Sequence, residues 1–355
     1  MEKKIEKKIE EKKEVSVVFL GGSITEGTGA SVLKKRWASL VQNWLESAFQ
    51  EYRFSCYNKG IGGTDSEFGV IRLEKDVLFY NPDIVFVEFA VNDYGKDPDI
   101  ILNAMEGIVR GIWKKKTDTQ IIFVVTAMYR MEEEDYSRNQ RPQSVEIHEQ
   151  VANHYGIPVI FVGETLLSTI RRERKDPVCY LPDLVHPNDQ GHAFYAREVI
   201  NFLKKMQWNK RLGESVRCFP EAMGDLRYSD VKMINAGFCE TDFRKKTDPL
   251  CGRTQGYIES NRPGEKGKLT FYGSGIGVFW MVGRDSGNIW FKIDDEEWNQ
   301  ISSWDLYALR YDRCACIMLR HGLKRGQHQL EFYVSAEKEE RSTGFFIRIG
   351  EFLVI

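Results

Sequence analysis

The chain has no long hydrophobic run and no disulfide framework. No stretch approaches about 18 uninterrupted apolar residues, so neither a transmembrane helix nor a membrane partner is predicted. The first residues, MEKKIEKKIEEKKE, lack the apolar centre of a secretory signal peptide. The seven cysteines form an odd and scattered set, which is a poor basis for disulfide pairing. Together these absences predict a cytoplasmic protein.

The sequence also lacks concentrated charge and nucleotide-binding motifs. Its formal net charge is −2, and the basic residues form no single patch that would suit a nucleic-acid partner. Gly27-Thr28-Gly29 has no third glycine at the dinucleotide spacing, and no Walker lysine follows it. With 355 residues, of which 42% are hydrophobic and 29% charged, the chain has a globular composition and is long enough for two domains.

Apolar runs alternate with amphipathic segments in the first part of the chain. The runs, at residues 15–20, 54–57, 84–91, 121–127 and 159–162, have the length and composition of buried strands. Apolar residues recur at helical spacing over residues 33–48, 99–115, 143–155 and 190–205. This alternation predicts a three-layer α/β/α domain with a parallel sheet over residues 15–208. Residues 1–14 are expected to form a charged, solvated leader.

The pattern changes after residue 208. Residues 209–215 are polar and predict a linker, and beyond them the apolar period becomes two residues, as at Ile289, Phe291 and Ile293. Such alternation, punctuated by glycines, predicts an all-β sandwich over residues 209–355.

One strand end stands out as a candidate nucleophile site. Residues 15–25, VSVVFLGGSIT, form an apolar run that stops at two glycines and Ser23. In open α/β sheets, ligands bind outside the carboxyl ends of the strands, and glycines allow the sharp turn that leaves a hydroxyl uncovered. We therefore interpret Ser23 as a nucleophile.

Three further stretches predict partners for this serine. Residues 58–64, NKGIGGT, follow a strand with glycines that allow a backbone amide to face an anion. Residues 88–93, EFAVND, close the third strand with Asn92, whose amide can donate into the same crevice. Residues 183–187, DLVHP, place Asp183 three residues before His186, so that the carboxylate can accept from one ring nitrogen while the other faces Ser23.

These four stretches resemble the motif blocks of the SGNH (GDSL-type) hydrolase superfamily, and the match covers the chain in order up to about residue 205. The resemblance implies a flavodoxin-like α/β/α sheet of SGNH type and a catalytic triad of Ser23, Asp183 and His186. It implies an oxyanion hole formed by the Ser23 amide, the Asn92 side chain and Gly63, with Gly62 as a close alternative to Gly63.

The sequence departs from the family pattern at two small residues. Gly22 stands where many members have aspartate, and Ala90 stands where glycine usually precedes V-N-D. The stretch Gly21-Gly22-Ser23-Ile24-Thr25 also lacks the second glycine of the G-x-S-x-G elbow.

A metal site is a competing interpretation. Acidic and histidine residues recur every three positions from Asp183 to His192, a spacing that suits a shared ion. Pro187 and a helix start near Asn188 would break the common face, so helix capping by Asn188 or Asp189 is favoured, with His192 a packed or surface histidine rather than a ligand. No metal ion and no cofactor are expected.

A hydrolase domain followed by a β-sandwich resembles two-domain carbohydrate O-acetylesterases, and DLVHPNDQGH is similar to sugar-directed members, including the mannan-acting carbohydrate esterase family. The resemblance implies that the sandwich is similar to a carbohydrate-binding module and that the substrate is an acetylated oligosaccharide, with manno-oligosaccharides favoured over xylo-oligosaccharides. Because aromatic faces can stack on sugar rings, we predict substrate contacts at Trp298 and Trp304, which lie in polar surroundings.

Two other functions stay open at this stage. A lipid- or thioester-directed hydrolase is disfavoured because the sequence has no amphipathic membrane helix. A carbohydrate-binding protein with an inactive hydrolase domain is disfavoured because all four motif residues are present. The sequence leaves open which sugar hydroxyl is deacetylated, whether the sandwich contacts substrate, and whether the protein is a monomer or a homo-oligomer.

Overall fold

The computed structural model describes residues 13–214 and 219–355. These residues form two compact units. The first comprises the described residues up to Gly69 together with Leu73–Asp225, and the second comprises Val70–Arg72 and Leu226–Ile355. Most of the predicted leader, residues 1–14, lies outside the described residues. Its last two residues belong to the first strand, because their backbones pair in parallel with residues 52 and 53.

Five parallel strands form the sheet of the first unit in the described part of the chain. Their order is β2-β1-β3-β4-β5, which is the doubly wound order whose direction reverses between β1 and β3. The crevice at that reversal is where the motif stretches after β1 and β3 meet. The strands are β1 (Lys13–Gly21), β2 (Tyr52–Gly60), β3 (Ile84–Glu88), β4 (Gln120–Val124) and β5 (Val159–Ile160).

Helices connect the strands and cover the sheet, which confirms the predicted α/β fold. Asp97 caps one long helix by accepting from the Asp99 amide, and Asn188 caps the last one by accepting from two amides of its first turn. In the described ranges no helix is long and apolar enough to cross a membrane. The helices are α1 (Ser23–Glu26), α2 (Trp37–Ala48), α3 (Ser66–Ile71), α4 (Leu73–Asp76), α5 (Pro98–Lys115), α6 (Tyr129–Glu134), α7 (Gln143–Tyr155), α8 (Val162–Glu173) and α9 (Asp189–Met206).

Aromatic side chains hold α2 against the centre of the sheet. The rings of Phe19 on β1 and Phe86 on β3 stack with centroids 4.9 Å apart, and Trp37 meets Phe19 edge-on at 5.3 Å. All three side chains are almost fully buried. Each such ring buries a large apolar area, so this cluster fixes the strand ends from which the site residues project.

The second unit is a pair of antiparallel sheets with a shared apolar core, as predicted for a β-sandwich. One sheet has the order β13-β12-β15-β10-β7, and the other has the order β14-β11-β16-β9-β8, with β6 paired to β16. The strands are β6 (Lys232–Asn235), β7 (Glu240–Thr241), β8 (Arg244–Lys246), β9 (Tyr257–Ser260), β10 (Lys266–Gly273), β11 (Ile276–Val282), β12 (Asn288–Ile293), β13 (Asn299–Ser302), β14 (Arg313–Arg320), β15 (Gly326–Val334) and β16 (Ile347–Val354).

The division between the units falls after Asp225 rather than between residues 208 and 209 as predicted. The segment before it packs along α5, where buried Glu106 accepts hydrogen bonds from the amides of Met223 at 2.7 Å and Gly224 at 2.8 Å. Asn103 accepts from the Asp225 amide at 2.9 Å. A buried carboxylate and amide need such partners, and periodicity in the sequence did not reveal that the polar segment supplies them.

Candidate active site

Ser23 is the first residue of α1 and lies directly after β1, as predicted. Gly22, with φ −88°, precedes the helix, and Gly27, with φ +109°, ends it after a single turn. The left-handed conformation at Gly27 is one that glycine adopts without strain. The short turn thus leaves the serine at the amino end of a helix, at the carboxyl edge of the sheet.

Ser23, His186 and Asp183 form an unbroken chain of hydrogen bonds. Ser23 Oγ lies 2.9 Å from His186 Nε2, and His186 Nδ1 lies 2.7 Å from Asp183 Oδ2. The nucleophile and the acid are separated by 160 positions in the sequence and meet here because the loop before α9 lies beside the turn that follows β1. This is the geometry in which imidazole acts as a general base and the carboxylate fixes its tautomer.

Local hydrogen bonds hold Asp183 in its ionised form. Its Oδ1 accepts from the amides of Val185 at 3.0 Å and His186 at 2.7 Å. Partial burial alone would raise the pKa of Asp183. The hydrogen bonds from the side chain and amide of His186 and from Val185 outweigh that effect and hold the pKa below its usual value. The carboxylate is therefore available to accept a hydrogen bond from the Nδ1–H group of His186 across the neutral pH range.

Hydrogen bonds at Leu184 and Asn188 hold the loop that carries Asp183 and His186. Leu184 has φ +67°, and its carbonyl accepts from the amide of Tyr129, the first residue of α6, at 2.8 Å. Asn188 caps α9 through its Oδ1 and donates from Nδ2 to the Cys179 carbonyl at 2.9 Å. These contacts fix the loop that holds the His186 ring toward Ser23.

The structure distinguishes between the two glycines considered for the oxyanion hole. The Gly62 amide donates to Glu26 Oε2 at 2.9 Å, so this amide already has a partner. A Cβ built on Gly62 would lie 3.7 Å from Ser23 Cβ, which places the loop beside the nucleophile. Gly63, with φ +70°, occupies the exposed tip of that loop. The Gly63 amide is therefore the better candidate donor.

Asn58 joins the second motif stretch to the first. Its Nδ2 donates to the Thr25 carbonyl at 2.6 Å, and its Oδ1 accepts from the Gly60 amide at 2.9 Å. No role was predicted for Asn58 or Glu26, although both hold the glycine loop against α1. The sequence shows an acid, Glu26, three residues after the serine. It does not show that this carboxylate binds the Gly62 amide in the second motif stretch.

The Asn92 side chain lies directly against Gly22. A Cβ built on Gly22 would be 2.1 Å from Asn92 Oδ1 and 3.0 Å from its Cγ. No residue other than glycine fits at position 22 with the asparagine in this position. The departure from the Gly-Asp-Ser pattern therefore has a physical reason, since the missing side chain gives space to the predicted oxyanion donor.

The residues considered for a metal site have other partners. Asp183 and His186 bind each other, and Asp189 pairs with Lys35 at 2.6 Å. Within the described residues no group of three or more His, Cys, Asp or Glu side chains is arranged to hold a metal ion.

His192 is a packed core histidine. Its Nδ1 accepts from the Trp37 amide at 3.3 Å, and its Nε2 lies 3.2 Å from the Thr28 carbonyl. Burial lowers the pKa of His192 to about 4. The ring is therefore neutral at physiological pH and helps to join α9 to α2.

The two tryptophans predicted to contact substrate have different environments. Trp298 is 40% exposed, and its ring centroid lies 4.9 Å from that of Tyr333. Trp304 is 7% exposed and belongs to the sandwich core. The burial of the Trp304 ring argues against its predicted contact with substrate, because an interior ring presents no face to a sugar.

Comparisons with known proteins were consistent with this geometry. Residues 19–194 match the profile of the GDSL-like lipase/acylhydrolase family. A two-domain esterase, CEX, active on acetylated mannans, is similar in structure with a TM-score of 0.84 and 22% identity, over 97% of this chain and 91% of that one. The same esterase co-crystallised with mannopentaose matches with a TM-score of 0.82 and 24% identity, over 96% and 90%. A comparison with curated proteins gave no match.

Proposed function

We propose that this chain, a carboxylic ester hydrolase whose residues 19–194 match the GDSL-like lipase/acylhydrolase family, removes acetyl groups from O-acetylated oligo- or polysaccharides. The observation that carries the proposal is the hydrogen-bond chain from Ser23 through His186 to Asp183. It supplies a nucleophile, a base and an orienting carboxylate at one edge of the sheet.

The first half of the reaction transfers the acetyl group to Ser23. His186 Nε2 accepts the hydroxyl proton while Oγ forms a bond to the ester carbonyl carbon, which gives a tetrahedral oxyanion. As that intermediate collapses, the bond to the sugar oxygen breaks, and the imidazolium returns the proton to the leaving alcohol. Asp183 keeps the proton on Nδ1 and favours the imidazolium.

The second half hydrolyses the acetyl-enzyme. His186 takes a proton from water, whose oxygen attacks the acetyl carbon. Acetate then leaves as Ser23 recovers its proton. In both halves the Ser23 and Gly63 amides and the Asn92 side chain are the proposed donors to the oxyanion. One such donor typically contributes about 2.7 to 4 kcal/mol of transition-state stabilisation.

The accessibility of the triad supports a bulky substrate. The side chains of His186 and Asp183 are 25% and 58% exposed, so an ester on a large alcohol can approach without a deep tunnel. The two-domain fold shared with an esterase that is active on acetylated mannans favours a mannan-type substrate. An acetylated xylo-oligosaccharide is the second substrate to test.

A groove in the second unit supports carbohydrate binding there. It has a volume of about 710 Å³ and lies on strands β10 and β15. The exposed Trp298 and the half-buried Tyr333 line it together with Lys266, Lys268 and Glu331. Aromatic faces with neighbouring charged and hydrogen-bonding groups suit a sugar ring and its hydroxyls.

The Trp298 groove has its own test. We expect Trp298→Ala to weaken binding of deacetylated mannan by at least about tenfold in calorimetry, with an unchanged rate on a small acetyl ester. Tyr311→Ala, which removes another exposed aromatic ring of the same unit, is the matched control. Equal mannan affinity of the Trp298→Ala and wild-type proteins would rule out this groove.

Mass spectrometry of acetylated manno- and xylo-oligosaccharides tests the substrate class. We expect the wild-type protein to remove acetyl groups, with manno-oligosaccharides consumed faster, and Ser23→Ala to leave both sets unchanged. Binding of these oligosaccharides without any deacetylation by the wild-type protein would instead support a non-catalytic carbohydrate-binding protein.

One observation favours a lipid- or thioester-directed hydrolase as the second candidate. Val32 and Leu33 are 54% and 69% exposed. They follow Gly29 by three and four positions, and a Cβ built on Gly29 would lie 3.5 Å from His186 Cβ. Exposed apolar side chains beside a site can contact an acyl chain. Rates on a series of p-nitrophenyl esters distinguish the two candidates. A preference for long acyl chains over acetyl would favour the lipid- or thioester-directed hydrolase over the carbohydrate esterase.

A further inference from the structure

Glu88 is a buried acid that the proposed mechanism does not use. It is the last residue of β3 and is fully buried. Its Oε2 accepts from the Thr25 hydroxyl and its Oε1 from the Thr126 hydroxyl, both at 2.7 Å. Thr25 lies in the helical turn that begins with Ser23, and Thr126 follows β4. The carboxylate therefore links the nucleophile turn to the neighbouring strand ends.

The backbone around Glu88 packs against the same turn. The Gly22 amide donates to the Glu88 carbonyl at 3.3 Å. A Cβ built on Gly21 would lie 2.7 Å from that carbonyl and 2.4 Å from Thr25 Oγ1. There is no free space between the turn and β3, so a shift of the Glu88 side chain would be transmitted to the turn.

We propose that Glu88 is a positioning residue that holds the Ser23 turn in register with His186 through its hydrogen bonds to Thr25 and Thr126. This inference rests on the proposed esterase mechanism. It concerns how the nucleophile is aligned and is independent of which ester is the substrate. A misplacement of about 1 Å in a reacting group can lower a rate by about 100-fold.

The charge of Glu88 affects the same contacts. Burial raises the pKa of Glu88 to about 7, although hydrogen bonds from Thr126 and Thr25 and from the Gly22 and Thr25 amides act in the opposite direction. Tyr195 on α9 is the titratable side chain that interacts with it electrostatically. As a carboxylate, Glu88 accepts from both threonines. When Glu88 is protonated, its own O–H group must donate a hydrogen bond, so the hydroxyl of one of the two threonines has to rotate and accept it.

Glu88→Gln tests the proposal, because it keeps the size of the side chain and removes the carboxylate. With p-nitrophenyl acetate we expect kcat to fall about 10- to 100-fold with little change in KM. We also expect kcat to lose the component of its pH dependence that has a midpoint near 7. The matched control is Glu106→Gln, which changes another buried acid of the same unit, one bonded to Tyr155 and the 223–224 backbone. Its kcat should stay near the wild-type value.

The outcomes separate this inference from the proposed function. Inactive wild-type protein contradicts the esterase proposal, whereas active wild-type protein with an unaffected Glu88→Gln variant overturns only the role of Glu88. An equal fall in kcat for Glu106→Gln also overturns it, because general destabilisation would then explain the loss. If Glu88→Gln does not fold, Thr126→Val decides: a kcat reduced severalfold supports the proposal and an unchanged kcat refutes it.

Discussion

Adding one methyl group at Gly22 should damage catalysis while leaving the fold almost intact. In Gly22→Ala the new Cβ would come within 2.1 Å of Asn92 Oδ1. The nearest obstructing atom is at the end of a side chain, so the asparagine can swing away at small cost, and the nearest backbone atom, the Thr64 carbonyl oxygen, is 3.3 Å from the new Cβ. The backbone at Gly22 has φ −88°, which alanine adopts without left-handed strain. The predicted oxyanion donor is therefore displaced and the turn remains.

The expected magnitude follows from the loss of one donor. Removal of a single oxyanion-hole hydrogen bond lowers kcat by about 10²- to 10³-fold, or about 2.7 to 4 kcal/mol. The free energy of unfolding should change by less than about 1 kcal/mol, because a compatible Gly→Ala change restricts the unfolded chain and offsets the cost of moving Asn92. Activity and stability should thus respond very differently.

Steady-state kinetics with p-nitrophenyl acetate and urea unfolding measure the two effects. Gly224→Ala is a closely matched control, because its Cβ would lie 2.2 Å from Asn103 Oδ1, another asparagine oxygen, on α5. We expect this control to keep wild-type kcat. In an Asn92→Ala background, Gly22→Ala should cause no further loss, since its target is already absent. A full additional loss in that background would refute the reasoning.

Three further predictions concern the triad and two buried titratable groups. Asp183→Asn should lower kcat by about 10⁴-fold with the fold intact, because the amide no longer selects the Nδ1–H tautomer of His186; stopped-flow kinetics and circular dichroism check this. The lowered pKa of His192, about 4, means that the native state resists protonation, so unfolding free energy should fall by up to about 3 kcal/mol as pH drops from about 7 to 4. The pKa of Glu88 is raised to about 7, so the free energy of unfolding should fall by up to about 3 kcal/mol as the pH rises from about 4 to 8, in the opposite direction to the effect of His192. Urea titrations of His192→Gln and Glu88→Gln should each lack the corresponding slope, and identical pH profiles for wild type and variant would contradict the assignment.

The sequence was informative about the site because the motif residues follow strands. In a parallel α/β sheet, residues that follow consecutive strands gather at one edge whatever the intervening chain contains. Ser23 and Asn92 follow β1 and β3, the two strands that flank the reversal of strand order. The convergence of these two residues could therefore be predicted without knowing any side-chain distance, whereas the place of His186, in the loop between α8 and α9, was implied by the resemblance to the SGNH motif blocks.

Other features depend on packing that no local pattern encodes. Trp304 lies in a polar segment of the sequence, and its burial depends on its ring packing into the core of the second unit. The later division between the units depends on buried Glu106, whose backbone partners lie more than 100 positions away. The fit of Asn92 against Gly22 was similarly hidden, since the sequence presented that glycine only as a departure from a motif.

The most direct test of the triad is the rate of p-nitrophenyl acetate hydrolysis by the wild-type protein and by Ser23→Ala, with folding of both checked by circular dichroism. We expect the variant to lose about 10⁶-fold in kcat, which leaves only the residual rate supplied by the oxyanion hole and substrate binding. A folded Ser23→Ala protein with a rate comparable to wild type would contradict the assignment of Ser23 as the nucleophile.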